Sequence, residues 1–150
     1  MILFLCSGNY YRSRFAESYF NDRAASLGLP VRAVSRGFRL GENNVGPISP
    51  HARRGLERHG IVIDADVRSP LAVVEDDFCT AARIICLKES EHRPMLVERF
   101  PHWEARVEFW QIDDVDCATP EQALPLLTAQ LDRLLDDFVC EEFCSAPERR

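Results

Sequence analysis

Four apolar residues, Ile2-Leu3-Phe4-Leu5, lead directly into Cys6-Ser7-Gly8-Asn9-Tyr10-Tyr11-Arg12-Ser13, and from there into Arg14-Phe15-Ala16-Glu17-Ser18-Tyr19-Phe20. The apolar run reads as a buried strand and the last segment as a helix, so a cysteine stands where a strand turns into a helix. A helix begins with unpaired N–H groups and a partial positive charge, both of which favour an anion nearby. A thiol placed there, close to an arginine, ionises more readily than a free one and becomes a nucleophile.

The five residues between Cys6 and Arg12 make a loop long enough to curl round a tetrahedral oxyanion with its amides pointing inward. Gly8 is expected to supply a positive φ without steric cost, and Asn9 tolerates the same region. Arg12 adds a planar fork that grips two phosphate oxygens at once. Cys6 as nucleophile, Arg12 as fork, and Ser7, Gly8, Asn9, Tyr10, Tyr11 and Ser13 as the cradle describe a phosphoryl-transfer site that uses no metal and no cofactor. The plainer alternative is a buried strand-end cysteine with a solvent-facing arginine.

Strands continue to alternate with helices along the chain. The spacing of Phe15, Ala16, Tyr19, Phe20 and Ala24 predicts a helix over 13–27 that Gly28 and Pro30 stop, and Val31 to Ser35 reads as a second strand. A long loop from Arg36 to Ser49 follows, long enough to form a wall of the site. Ser49-Pro50 opens a helix that runs to His59, Ile61 to Ile63 reads as a short extended piece, and Val73 to Thr80 as a short acidic helix. Arg83 to Leu87 and Val107 to Trp110 read as strands on either side of a helix that reaches Phe100. Thr119-Pro120-Glu121-Gln122 then opens the longest helix, whose stripe of Leu124, Leu127, Leu131, Leu134, Leu135 and Phe138 faces a core. This order predicts an α/β three-layer sandwich, a mostly parallel four-stranded sheet with helices on both faces. One domain covers 1–138, and Val139 to Arg150 is expected to be a frayed tail.

A chain of 150 residues with 24 acidic and 18 basic side chains, net charge -6, argues against a nucleic-acid partner, so any anion site is a local basic pocket. The apolar first residues lack the charged leader and the length of a signal peptide, and no run reaches membrane-spanning length. The expectation is a cytoplasmic protein without a membrane partner, its six cysteines thiols rather than a disulfide framework.

The loop from Cys6 to Ser13 resembles the phosphate-binding loop of the low-molecular-weight protein tyrosine phosphatases, Cys-x-Gly-Asn-x-Cys-Arg-Ser-Pro after a strand and before a helix. Cys6, Gly8, Asn9, Arg12 and Ser13 match it; Tyr11 stands at the second Cys and Arg14 at the Pro. Ser35-Arg36-Gly37 resembles the family's Ser-Ala-Gly, and Pro47 to Ala52 with His59-Gly60-Ile61 resembles its next helix. The likeness extends from Ile2 to about Phe138.

A thiolate attacking a phosphate ester needs an acid for the departing oxygen, and Asp113-Asp114-Val115-Asp116 offers three carboxylates after the last strand. The resemblance, through the family's Trp-x-x-x-Asp-Pro, implies Asp114 as that acid, with Asp113 and Asp116 in reserve because Val115 replaces the Pro. Ser35 would join Asn9 and Ser13 in a hydrogen-bond network, or simply end a strand. Tyr10 and Tyr11, with Phe38 in the neighbouring loop, would wall the pocket for a phosphotyrosine ring, or the two tyrosines would pack the loop from behind. Lys88, where the family has Asp, and His92 would contact an acidic substrate or begin a solvated helix together with Glu89 and Glu91.

The implied function is metal-independent phosphomonoester hydrolysis through a phosphocysteine, on a phosphorylated small molecule or a phosphotyrosine protein. Two alternatives stand beside it. One is thiol-dependent arsenate reduction, for which relay cysteines after the third strand are missing. The other is a module that binds phosphate without hydrolysing it.

Overall fold

The central strand is the first one, β1 (Ile2–Cys6), and its side chains explain why. Ile2, Phe4 and Cys6 point into one core with Phe15, Phe20 and Leu131, while Leu3 and Leu5 point into a second core with Phe78, Ile84 and Leu96. A strand whose successive residues serve opposite faces must be apolar at every position when both faces are covered. The structure, a computed structural model, describes residues 1–145.

After β1 come α1 (Arg12–Ser26), β2 (Ala33–Gly37), α2 (Pro50–Arg58), α3 (Glu75–Thr80), β3 (Arg83–Cys86), α4 (Glu89–Arg99), a 3-10 turn (Pro101–Arg106), β4 (Val107–Phe109) and α5 (Pro120–Ser145). The sheet order is β2-β1-β3-β4 and all three pairings are parallel; Ile2 lies opposite Ala33 and Arg83, and Ile84 opposite Val107. The expected α/β sandwich with helices on both faces is borne out. α1 and α5 cover one face; α3 and α4 contribute Phe78 and Leu96 to the other.

Two helix starts follow their caps. Ser49 Oγ accepts from the His51 amide at 3.2 Å ahead of Pro50, and the Gln122 side chain accepts from the Thr119 amide at 3.0 Å at the start of α5. α1 stops at Gly28, whose φ of 70° lets the Leu29 amide turn back to the Ala24 carbonyl at 2.9 Å.

Several element ends shift by one or two residues from the sequence reading, and three segments differ in ways that matter. β2 spans Ala33–Gly37 rather than Val31 to Ser35, because its register places Ala33 beside Ile2. Ile61 to Ile63 pairs with no strand; only Ile61 is buried. The tail expected from Val139 is helical to Ser145, since nothing between Phe138, which packs on Phe20 at 6.1 Å, and Pro147 breaks a helix. The remainder of that tail, 146–150, lies outside the described residues.

Candidate active site

The loop that follows β1 is held from beneath by backbone. The Cys6 and Ser7 carbonyls accept from the Phe38 and Arg39 amides at 3.1 and 2.8 Å. This brings Gly37 against the loop so closely that a Cβ there would lie 2.8 Å from the Asn9 nitrogen and the Ser7 oxygen. The positive φ in the loop belongs to Asn9, at 49°, and not to Gly8 as the sequence suggested. Asn9 can hold that conformation because its fully buried amide is saturated. It donates to Ser13 Oγ and Ser35 Oγ, both at 2.9 Å, and accepts from the Leu71 amide at 3.0 Å and Arg68 at 3.1 Å.

Ser13 Oγ takes its hydrogen from Asn9, so its own hydrogen is free for the Cys6 sulfur 2.9 Å away, and the Asn9 amide reaches the same sulfur at 3.2 Å. Two donors thus converge on Sγ. Ser35 is braced by Glu17, which also pairs with Arg68 at 2.9 Å. Arg14, at the position of the family's Pro, is buried and spans from the Pro47 carbonyl to the Arg68 carbonyl at 2.8 and 2.9 Å. Burial, then the charge of Arg68, pushes its pKa down to about 10. It fastens α1 to two surface loops.

Arg12 is 1% exposed, and every terminal N–H of its guanidinium has a partner. Glu91 takes two, at 2.8 and 3.0 Å, the Ile112 carbonyl one at 3.0 Å, and Asp114 Oδ2 the last at 2.9 Å. Burial works against its charge, but Glu91 and the charges of Cys6 and Asp114 outweigh that and hold the guanidinium above its ordinary value. Glu91 is in turn held well below the usual carboxylate range, first by His92, then, against burial, by Arg12 and Ser7.

His92 is fully buried behind the loop. Its Nδ1 accepts from the Lys88 amide at 3.0 Å, so Nε2 carries the hydrogen and donates towards Ser7 Oγ at 3.2 Å; Ser7 donates to Glu91. Burial pushes the imidazole down, keeping it neutral. A chain of donors therefore runs from the first turn of α4 through His92 and Ser7 to Glu91 and the Arg12 fork.

Above Cys6 and Arg12 opens a cavity of about 460 Å³, walled by Tyr10, Tyr11, Arg39, Asn44, His51 and Asp114. Of the three aspartates Asp114 is the one on Arg12; Asp113 pairs with Lys88 Nζ at 2.6 Å and Asp116 is exposed. Lys88 is consequently engaged and does not line the cavity. Phe38 is also absent from the wall: it is 5% exposed and packs under the loop, its ring 6.0 Å from that of His92. Tyr10 does face the cavity and donates to the Val45 carbonyl at 2.8 Å, closing the 39–47 loop over the site. Tyr11 lies edge-on to His51 at 6.1 Å; its buried hydroxyl finds no hydrogen-bond partner among the described residues, and burial, then the charge of Asp114, pushes its pKa up to about 12.

Glu91, Glu17, Arg68 and Gly37 are among the site residues that sequence reasoning missed, along with the cavity walls Arg39, Asn44 and His51. Glu91 reads as one of two solvated acids opening a helix. The signal that identifies it is a question of charge: a buried Arg12 needs a carboxylate, and α4 starts at the C-terminal edge of the neighbouring strand. The pair Glu89 and His92, spaced like metal ligands, diverges, with Glu89 on Arg93 and His92 on Ser7.

A parallel sheet of four strands in the order β2-β1-β3-β4, with a cysteine, a buried arginine and an aspartate gathered at its C-terminal edge, defines a cysteine-dependent phosphatase architecture. The chain belongs to that class: the family described as low molecular weight phosphotyrosine protein phosphatase matches residues 1–116. It is 29% identical over 106 residues to a protein-arginine-phosphatase of Bacillus subtilis, spanning 71% of this chain and 67% of that one. With the human low molecular weight phosphotyrosine protein phosphatase it shares 27% over 99 residues, 63% of this chain and 58% of the human one, so the match spans less than two thirds of that relative. The solved YwlE arginine phosphatase from Geobacillus stearothermophilus superposes with a TM-score of 0.77 at 25% identity, covering 99% of this chain and 98% of that structure.

Proposed function

We propose that this protein hydrolyses phosphomonoesters, phosphotyrosine in proteins above all, through a phosphocysteine at Cys6. The observation that carries the reading is the convergence of two donors on the Cys6 sulfur at the floor of a cavity that also holds Arg12 and Asp114. In the first step the thiolate attacks phosphorus while the ester P–O bond breaks, and Asp114 gives its proton to the departing phenolic oxygen. In the second, Asp114 takes a proton from water as the water oxygen attacks phosphorus, the S–P bond breaks, and Cys6 leaves as thiolate. Inorganic phosphate is released and the site returns to its starting state.

Arg12 and the loop amides hold the equatorial oxygens through both steps. For this the incoming phosphoryl oxygen takes the place of Asp114 Oδ2 on the guanidinium, and Asp114 is freed to face the leaving group. Glu91 keeps its two hydrogen bonds and so fixes the plane of the fork. Tyr10 and Tyr11 give the cavity aromatic walls that suit a phenyl ring. Arsenate reduction is disfavoured because Cys79 is exposed on α3 and Cys86 is buried within β3, so neither lies on a segment after the third strand, where the relay cysteines would be needed. Free thiols fit a reducing cytoplasmic setting, and among the described residues no helix is long and apolar enough to cross a membrane.

Hydrolysis of para-nitrophenyl phosphate at about pH 5 to 7 with chelator present tests the chemistry. Wild type is expected to be active, Cys6→Ser inactive, and Asp114→Asn slower by about 10²- to 10⁴-fold. Loss of activity on chelation, or retention in Cys6→Ser, would overturn it. A matched pair of peptides bearing phosphotyrosine or phosphoarginine then tests the substrate, with faster turnover expected for phosphotyrosine.

A further inference from the structure

Beyond the catalytic cavity, the seam between α2 and the start of α5 forms a groove that begins at His51, which it shares with that cavity. Two smaller hollows of about 200 and 270 Å³ follow each other along it. The floor is uncharged: Gly55 and Leu124 meet there so tightly that a Cβ on Gly55 would fall 2.5 Å from Leu124 Cδ1. One wall carries Arg54 and Arg58, on the same stripe of α2 as His51.

The molecule carries a net charge of -6, yet this wall is cationic. Among the described residues, the side-chain hydrogen bond of Arg54 is to His51 Nδ1, at 3.0 Å, and no carboxylate pairs with it. Arg58 meets Glu121 across the groove at 3.9 Å, but both side chains are more than 60% exposed, so that pair is weak and easily exchanged. We propose that the groove receives the polypeptide flanking the phosphorylated residue and selects acidic side chains in it. This rests on the reading that the substrate is a phosphorylated protein.

The spacing is specific. Arg54 and Arg58 are four residues apart on a helix, a rise of about 6 Å. An extended chain advances about 6.6 Å in two residues, and those two side chains point the same way. The groove therefore fits Asp-x-Asp or Glu-x-Glu. From His51 to Arg58 is about 10 Å along α2, which places the pair within roughly four residues of the phosphorylated one.

The test compares kcat/KM for phosphotyrosine peptides carrying Asp-x-Asp or Lys-x-Lys on either flank, in wild type and in the double variant Arg54→Glu/Arg58→Glu, with para-nitrophenyl phosphate alongside. Wild type is expected to favour the acidic peptide by about five- to tenfold, and the variant to lose or invert that preference. The small substrate, which does not reach the groove, keeps its rate and reports an intact fold. Peptides favoured over the small substrate but with equal ratios in both proteins would overturn the groove alone. Peptides turned over no faster than the small substrate, without charge preference, would overturn the protein-substrate reading and the groove with it.

Discussion

Glu91 and His92 are neighbours on α4 that work on opposite sides of neutrality. Glu91 must stay charged to hold Arg12, whereas His92 must stay neutral, because its Nδ1 accepts from the Lys88 amide and a proton there would face a donor. Unfolded, the imidazole has its ordinary value of 6.5; folded, burial depresses it. In the window below that pH the unfolded chain binds the extra proton, so stability rises with pH. The contribution of His92 is complete above about pH 6.5 and is lost as pH falls through the depressed folded value. Glu91, also depressed, contributes fully above its unfolded 4.5 and loses its part only in stronger acid. Thermal melts from pH 7.5 to 5.5 are expected to show Tm falling in wild type, and His92→Gln to flatten that slope while lowering Tm at pH 7.5. An equal slope in the variant would remove His92 from the account.

The loop between β1 and α1 keeps its shape through β2 as much as through its own residues. Gly37 meets the backbone of Ser7, Gly8 and Asn9, none of which can yield without moving the amides of the cradle. Gly37→Ala is expected to lower kcat/KM for para-nitrophenyl phosphate by a hundredfold or more, since displacements of an ångström at reacting groups carry costs of that order; a native melting profile would locate the damage in the loop. The strand, the loop and the first helix were legible because apolar run, Gly-Asn turn and helical spacing agree locally. The place of Glu91 was not, because a carboxylate in the first turn of a helix looks the same whether water or a buried guanidinium faces it. The alternatives for Phe38 and Lys88 stayed open for a related reason: the register of β2 and the pairing of Lys88 with Asp113 are set by contacts between distant segments. The continuation of α5 past Phe138 was readable from the absence of any breaker before Pro147, a signal outweighed by the polar composition of that stretch.

At the scale of the molecule, the site exists only when the sheet is assembled. Arg12 is joined to Glu91 across 79 positions of sequence and to Asp114 across 102, each delivered by the end of a different strand. The two cores on either face of β1 hold those ends in register, and Leu131, fully buried on α5, is part of the first. Leu131→Ala is expected to cost about 2 to 5 kcal/mol in denaturant unfolding; a loss under 1 kcal/mol would mean the α5 face is not part of the cooperative unit. The assembled site, with Asp114 seated on Arg12, is already occupied by an anion of the protein's own. On the proposed mechanism, the resting site resembles one bound to a weak inhibitor, and an incoming phosphate has to evict a tethered rival before it is gripped. Asp114→Ala is therefore expected to bind inorganic phosphate more tightly than wild type while turning substrate over more slowly. On the proposed mechanism, the tether that keeps Asp114 close to the reacting bond also sets how loosely product is held.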